Sequence, residues 1–358
     1  MIRSVSIIGA GIGAQHLLGY GALPDRYQIH SICDLDAERG GALARTHPDV
    51  TYGNDYNAIL ADPKVDVVDI CLPPHLHFSA ILAALEAGKI VVCEKPLVAS
   101  LAEADQLADK VAQTGGIVSP VFQYRYGLGT AQLLALIEAG LAGRCYAGTL
   151  ETHWNREKPY YDIPWRGTWA GERGGALLGH AIHIHDLLAW LIGPVAQVFA
   201  DTATRVNDIE VEDCAALSIR MECGALITSS VTLGAADDTS RMRLLFEGFT
   251  VESDHAPYSL AEKSWRFTAR APTTQTQIDA VLAQVSEAKT GFAGMFEALA
   301  DTLDGQGGRD VTLQDGRRSL EFVTAVYASA RSNLPVALPL ARDHPLYGGW
   351  VPDAARER

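Results

Sequence analysis

Two stretches of the chain carry side chains suited to moving a proton. In the first, the apolar run Ile90-Val91-Val92-Cys93 ends abruptly in Glu94-Lys95-Pro96. A strand buried on both faces reads this way, and in an open α/β sheet the ligand crevice lies beyond the carboxyl ends of the strands. Pro96 fixes its own φ and restricts the residue before it to extended backbone, so chain stiffness holds Lys95. In the second stretch His180, His183 and Asp186 recur every three residues. On a regular helix that spacing makes one stripe and points His185 well away from it. Removing a hydride from a secondary alcohol requires that the hydroxyl proton leave at the same time. His183, with an unperturbed pKa of about 6.5, suits the base. Lys95 at the same oxygen would stabilise the developing negative charge. Asp186 would anchor substrate or orient the imidazole. The same histidines can be read as zinc ligands, but His185 cannot share a face with His180 and His183, and no other His or Cys falls in a ligand spacing. No metal is expected.

A hydride needs an acceptor, and the first third of the chain is patterned to hold one. The β-rich run Val5-Ser6-Ile7-Ile8 feeds Gly9-Ala10-Gly11-Ile12-Gly13-Ala14, and a helix-compatible stretch follows to Leu23. This is G-x-G-x-x-A between a strand and a helix. Gly9 makes the tight turn, Gly11 lets a pyrophosphate approach, Ile12 and Gly13 open the helix N-terminus towards its charge, and Ala14 permits close helix packing. A second buried strand, Tyr27 to Cys33, ends at Asp34, about 20 residues on, where a carboxylate accepts from an adenosine ribose and repels a 2′-phosphate. This predicts NAD in preference to NADP, with Asp36 able to share the role. Strands at 65–71, 90–93 and 117–122 then alternate with helices at 78–87 and 101–113, which argues for one doubly wound parallel sheet.

These motifs carry a resemblance. GAGIGA after the first strand, Asp34 after the second, PPHLH after the fourth and CEKP after the fifth resemble the Gfo/Idh/MocA oxidoreductases, the family of glucose-fructose oxidoreductase and inositol dehydrogenase. Gln123-Tyr124-Arg125-Tyr126, Trp165-Arg166-Gly167, Gly174-Gly175-Ala176-Leu177-Leu178 and His183-Ile184-His185-Asp186 continue it. The resemblance implies an N-terminal Rossmann domain, 1–122, and a C-terminal α+β domain, 123–358, with a large open, mainly antiparallel sheet that binds substrate and oligomerises. It implies oxidation of a secondary hydroxyl of a sugar, cyclitol or sugar derivative, or the reverse. Glu94 then contacts the nicotinamide ribose, Lys95 is catalytic, and Leu72, Pro73 and His77 lie on the cofactor side. The family's helix signature, D-x-G-x-H-x-x-D, is met at His183 and Asp186 but has Gly179 for the first Asp and Ala181 for the Gly. His180 is the nearest replacement for the missing acid.

Between 154 and 169 the chain concentrates Trp154, Arg156, Tyr160, Trp165, Arg166 and Trp169. Aromatic faces with planar donors suit a pyranose or polyol pocket; Trp154, Arg156, Tyr160, Trp165 and Arg166, with Arg125, Lys95 and His183, are the expected substrate contacts. A subunit-interface loop is the other reading of the same composition. Alternating strands near 195–204, 214–221, 225–233 and 241–247 make a sheet with one face on the core, and covering the other face predicts a homodimer or homotetramer. Residues 254–275 read as a protruding hairpin or loop, 277–303 and 313–330 as helices, and the tail from Leu334 has no clear order.

Composition bounds the rest. With 48% hydrophobic and 20% charged residues the chain is globular, and a formal charge of -14 excludes a nucleic-acid or anionic-membrane partner. Six cysteines without C-x-x-C pairing and no signal-like start predict a cytoplasmic protein. Two other outcomes fit the motifs: a glycosidase that oxidises transiently, eliminates and re-reduces, and an NAD-binding regulator without turnover.

Overall fold

The computed structural model describes residues 1–47, 49–286 and 288–352. The chain forms two compact units, Met1–Val121 with Phe292–Leu320, and Phe122–Gly291 with Glu321–Arg358.

The first unit alternates β1 (Arg3–Ile8), α1 (Gly13–Gly21), β2 (Tyr27–Cys33), α2 (Ala37–Ala44), β3 (Thr51–Gly53), α3 (Tyr56–Ala61), β4 (Val67–Ile70), α4 (His77–Glu86), β5 (Ile90–Cys93), α5 (Leu101–Thr114) and β6 (Val118–Pro120). All six strands are parallel, in the order β3-β2-β1-β4-β5-β6. The central strands β4 and β5 are apolar runs because helices cover both faces of such a sheet. Local chemistry sets the helix ends. Ser100 accepts from the Glu103 N–H to cap α5, and Gly115, at φ +66, closes it in the left-handed region. Asp36 is the N-cap of α2, with one carboxylate oxygen accepting from the Glu38 and Arg39 N–H groups.

Residues 292–320, which the sequence reading places in the second domain, cluster with this unit. The Phe296 ring stacks on Tyr20 at 3.8 Å and 2°, and the Tyr27 hydroxyl donates to the Phe296 carbonyl at 2.8 Å. Arg3 pairs with Asp304 at 2.7 Å. Nothing in the local pattern of 292–304 announces a docking face for α1 and β2, so only the folded chain shows it.

The second unit holds α6 (Leu128–Glu138), β7 (Cys145–Asn155), α7 (Lys158–Tyr161), α8 (Ile182–Ile192), β8 (Val195–Ala203), β9 (Cys214–Met221), β10 (Leu226–Thr232), β11 (Gly234–Phe246), β12 (Phe249–Glu252), β13 (Arg266–Ala269) and α9 (Gln275–Leu282). Then come α10 (Gly291–Leu303), α11 (Leu313–Ser332), inside which the division between units falls, and β14 (Val336–Ala337). The sheet runs β13-β12-β11-β7-β10-β9-β8-β14 and is antiparallel except between β7 and β10. Along β9 and β10 exposure alternates: Ala216, Ser218, Arg220, Leu226, Thr228 and Ser230 face outward while Leu217, Ile219, Ile227 and Val231 are buried.

Three expectations change here. The helix read over 277–303 is two helices, α9 and α10; residue 287, between them, lies outside the described residues. The hairpin read over 254–275 contributes β13 to the sheet edge beside β12. The tail is ordered: β14 pairs with β8, and Trp350 is fully buried, stacked near Tyr327 with its indole N–H donating to the Arg173 carbonyl at 2.6 Å. Residues 353–358 of that tail lie outside the described residues.

Candidate active site

In the first unit the strand order reverses between β1 and β4, the point beyond whose carboxyl ends such sheets bind ligands. Gly9 leaves β1 at φ +105, and a Cβ there would lie 2.3 Å from the Cys71 carbonyl oxygen, so only glycine lets the turn pass over the end of β4. A Cβ on Gly13 would meet the Ile7 side chain at 2.7 Å, whereas Gly11 faces open space. Ile12, at the N-cap of α1, offers no side-chain cap and is 43% exposed, and the Ala14 N–H turns back to the Gly11 carbonyl. The helix start is thus left for an anion.

Asp34 is the carboxylate of this turn. Its Oδ2 accepts from the Ala10 N–H at 2.7 Å and its Oδ1 from the Asp36 N–H at 2.8 Å, and Arg39 forks onto both oxygens at 3.1 and 2.8 Å. Burial alone would raise this carboxyl; the guanidinium and the two N–H groups outweigh it and hold Asp34 below the usual carboxylate range. Arg39 was not singled out from sequence, although a base five residues after the acid on the next helix was there to be read.

Glu94 and Lys95 stand directly after β5. Glu94 is buried, with Oε2 accepting from the Lys95 N–H at 3.1 Å and Oε1 3.1 Å from His16 Nε2; Lys95 is half-buried. Leu72 and Pro73 are half-buried on the loop after β4. His77 is a correction: its ring is fully buried, 2.7 Å from the Leu72 and Pro96 carbonyl oxygens. It ties the loop after β4 to the loop after β5 and has no surface to offer a cofactor.

His16, Asp69 and Cys71 form a buried cluster that sequence reasoning missed, with their ligand-type atoms all within 4.8 Å of one another. Nδ1 of His16 is 2.8 Å from Asp69 Oδ2. Two ligands of one tetrahedral zinc, each about 2.0–2.1 Å from the metal, stand about 3.3 Å apart, so this pair has hydrogen-bond spacing. The signals were a polar residue two positions after Ala14 and an acid inside the apolar run of β4.

In the second unit the histidine helix begins irregularly. Residues Leu177–Ala181 make one π-helical turn before α8, a feature frequent at functional sites. The wider turn breaks the phase on which a single stripe of His180, His183 and Asp186 depends. His180 faces the aromatic loop, edge-on to Trp154 at 5.0 Å and with Nε2 3.5 Å from the Tyr160 hydroxyl. His183 instead stacks on Tyr124 at 4.9 Å, beside the edge of Phe122. His185 points elsewhere, as expected, to Ser229 at 2.9 Å, and burial lowers its pKa to about 3.

Two buried acids hold this helix. Asp186 and Arg125 form a bidentate pair at 2.8 and 2.6 Å with 3% and 2% of their side chains exposed. Arg125 thus gives one side of its planar fork to Asp186, and the pair locks α8 to the segment after β6. Glu212 accepts from the Gly175 and Leu177 N–H groups at 3.0 to 3.1 Å and from the Tyr327 hydroxyl at 2.9 Å. Burial pushes its carboxyl up to about 7. A Cβ on Gly175 would lie 1.8 Å from the Glu212 carbonyl oxygen, which explains the glycine pair before the helix.

The residues of the aromatic loop lie against one another. Arg156 lies 4.9 Å from the centroid of Trp154 and 5.3 Å from that of Tyr160, and Arg166 lies 3.9 Å from Tyr160 and 4.7 Å from Trp165. Arg156 also pairs with Asp238 at 2.9 Å and bonds the Tyr258 hydroxyl, two partners from distant segments that no local motif marks. Arg166 has only Glu172, at 3.9 Å, and none of its side-chain N–H groups meets an acceptor at hydrogen-bond distance among the described residues. At Gly179, where the helix signature lacks its acid, the position a Cβ would take is 3.6 Å from Glu172 Oε1. A carboxylate reaches that place from position 172, with its other oxygen accepting from the Gly167 N–H at 2.6 Å.

A parallel sheet with a glycine turn and a carboxylate at its switch point, joined to a unit with an open mixed sheet and a histidine helix, defines a dinucleotide-binding α/β protein of two units. Residues 3–122 match the model of an oxidoreductase family with an NAD-binding Rossmann fold, and residues 130–252 match the GFO/IDH/MocA C-terminal domain. The chain belongs to this GFO/IDH/MocA oxidoreductase family.

Among its relatives, levoglucosan dehydrogenase of Pseudarthrobacter phenanthrenivorans is 31% identical over 57% of this chain and 55% of that protein. D-glucoside 3-dehydrogenase of Escherichia coli is 30% identical over 53% of this chain and 54% of that protein. The matched stretch thus spans about half the length of these curated relatives. Among solved structures, the WlbA dehydrogenase of Bordetella pertussis, in complex with NADH and UDP-GlcNAcA, superposes with a TM-score of 0.83 at 27% identity, covering 95% of this chain and 100% of that one.

Proposed function

We propose that the protein is an NAD-dependent dehydrogenase acting on a secondary hydroxyl of a sugar, cyclitol or sugar derivative, with Lys95 and His183 as its catalytic groups. The observation that carries it is the presence in one chain of a Rossmann unit, whose Asp34 is held ionised at the strand end, and a second unit in which His180 lies against Trp154 and Tyr160 while two guanidiniums lie over the Tyr160 ring. The names of the relatives agree in class: levoglucosan, a glucoside and inositol are sugar-type alcohols.

NAD, when bound, supplies the hydride acceptor. Gly9 turns the chain and Ala14 lies in the first turn of the helix, so that Gly11, Ile12 and Gly13 present N–H groups to its phosphates, and Asp34, acceptor-only when ionised, takes ribose hydroxyls and disfavours a 2′-phosphate. The role proposed for His183 is to accept the proton of a substrate hydroxyl, and that for the Lys95 ammonium is to stabilise negative charge on an alcohol oxygen. Tyr160 and Trp165, over whose rings the Arg166 guanidinium lies, are the aromatic contacts proposed for a sugar ring, and Arg166 brings donors that vicinal hydroxyl oxygens can accept from. Glu172 supplies the carboxylate that the helix signature would carry at 179. Arg125 and Asp186 act by positioning the helix that bears His183.

No helix among the described residues is long and apolar enough to cross a membrane. The six cysteines are all free, which fits a reducing, cytoplasmic compartment. The outward residues of β9 and β10 form the face through which we place a homodimer or homotetramer.

The test is a panel of monosaccharides, inositols and aldonolactones assayed with NAD and NADP by absorbance of the reduced cofactor. Lys95→Ala should lose turnover by at least two orders of magnitude while still binding NADH. Substantial activity in that variant refutes the assignment. Aglycone release from glycosides with no net NADH would point to the transient-oxidation glycosidase instead.

A further inference from the structure

The buried cluster beneath the glycine turn is not used by the chemistry described so far, and its proton count is unusual. His16 lies on α1 with no exposed surface. Its Nδ1 is 2.8 Å from Asp69 Oδ2 on β4 and its Nε2 is 3.1 Å from Glu94 Oε1 at the end of β5. Cys71 Sγ stands 3.4 Å from Nδ1, and the ring is covered by Phe292, 4.5 Å away and tilted, and by the edge of Phe296 at 5.6 Å. An ionised carboxylate only accepts, so two carboxylates on the two ring nitrogens require two protons among the three groups. Burial by itself would strip the imidazole of its charge. The Asp69 carboxylate, joined by Cys71, outweighs it and raises the His16 pKa well above the ordinary value, so the ring is a buried imidazolium donating from both nitrogens.

We propose that His16 is a positioning residue that fixes the Glu94 carboxylate for a ribose hydroxyl of the dinucleotide. The inference rests on the reading of the first unit as the NAD site. Glu94 Oε1 receives Nε2–H of His16 and Oε2 receives the Lys95 N–H, so donors from two directions set the carboxylate plane. Asp69 keeps the imidazole charged, and Phe292 and Phe296 keep water from competing for Nε2. With this clamp Glu94 meets the cofactor already oriented, and the backbone of Lys95 is tied to the same oxygen pair. A plain packing role would leave Nε2 and Glu94 unrelated.

The experiment is a double-mutant cycle read by NADH fluorescence, which needs no substrate. His16→Phe keeps a ring between Phe292 and Phe296 but removes both donors; Glu94→Gln removes the acceptor charge. A hydrogen bond to a charged group is worth about 1.5–3 kcal/mol, so each single variant should weaken NADH binding on the order of tenfold or more. The double variant should bind within about twofold of Glu94→Gln alone, because His16 acts only through Glu94. Losses that multiply in the double variant, or a His16→Phe protein that binds NADH as tightly as the wild type, overturn the proposal. Wild-type protein that binds neither NADH nor NAD overturns the cofactor reading as well, which separates the two failures. Should His16→Phe not fold, histidine-selective 15N NMR of the wild type decides. A proton on Nε2 throughout pH 6 to 8 supports the clamp, and a bare Nε2 refutes it.

Discussion

The Arg125–Asp186 pair offers the sharpest test of how the histidine helix is held. Removing Asp186 leaves a guanidinium with 2% side-chain exposure in a site it shares with Phe122 and Trp190. Breaking a buried ion pair by removing one partner costs about 3–5 kcal/mol, whereas replacing both partners by apolar residues of similar volume costs little or even stabilises. Asp186→Ala should therefore be severely destabilised, and Arg125→Met combined with Asp186→Leu should recover most of the loss. Urea unfolding followed by tryptophan emission reads the relevant unit alone, because Trp154, Trp165, Trp169, Trp190, Trp265 and Trp350 all belong to the second one. With a urea slope of roughly 3 kcal/mol per molar, the single variant should move the midpoint down by more than about 1 M. A shift under about 0.3 M, or a double variant as unstable as the single one, would show that the pair does not lock α8. Activity retained in the recovered double variant would further show that Asp186 serves by position and takes no proton.

Two more predictions concern acids of the same unit. Glu212 has its carboxyl raised by burial from 4.5 to about 7, so the folded state holds its proton where the unfolded state has released it. Stability from this group is full below about pH 4.5 and is lost as pH rises through about 7, by about 3 kcal/mol in all. The stability difference between Glu212→Gln and wild type should therefore shift in favour of the variant by that amount from pH 4.5 to 8, and a pH-independent difference would contradict it. Glu172→Gln should lower kcat by at least an order of magnitude, and adding Gly179→Asp should restore part of it, since the position a Cβ would take is only 3.6 Å from the carboxylate being replaced. A double variant no faster than Glu172→Gln would separate the two positions.

What the linear chain determined was whatever rests on short spacing. The period-two and continuous apolar runs specify β1, β2, β4, β5 and β6 of the first sheet and β8 to β11 of the second, but not β3, β12, β13 or β14. G-x-G-x-x-A places a glycine where a side chain would strike the Cys71 carbonyl, and Asp34, Glu94 and Lys95 fall at strand ends because the strands themselves are unmistakable. Tertiary structure alone decided the partners. His16 is one polar side chain in a short helix until folding sets it between Asp69 and Glu94, 53 and 78 residues away. Arg125 reads as a substrate contact until folding sets its Nε and one terminal nitrogen against Asp186. One π-helical turn sends His180 and His183 to different neighbours although their spacing promises a shared stripe. The physical reason is the same throughout: backbone preference acts over a few residues and is written locally, whereas a buried charge takes its state from whichever groups packing brings within about 3 Å.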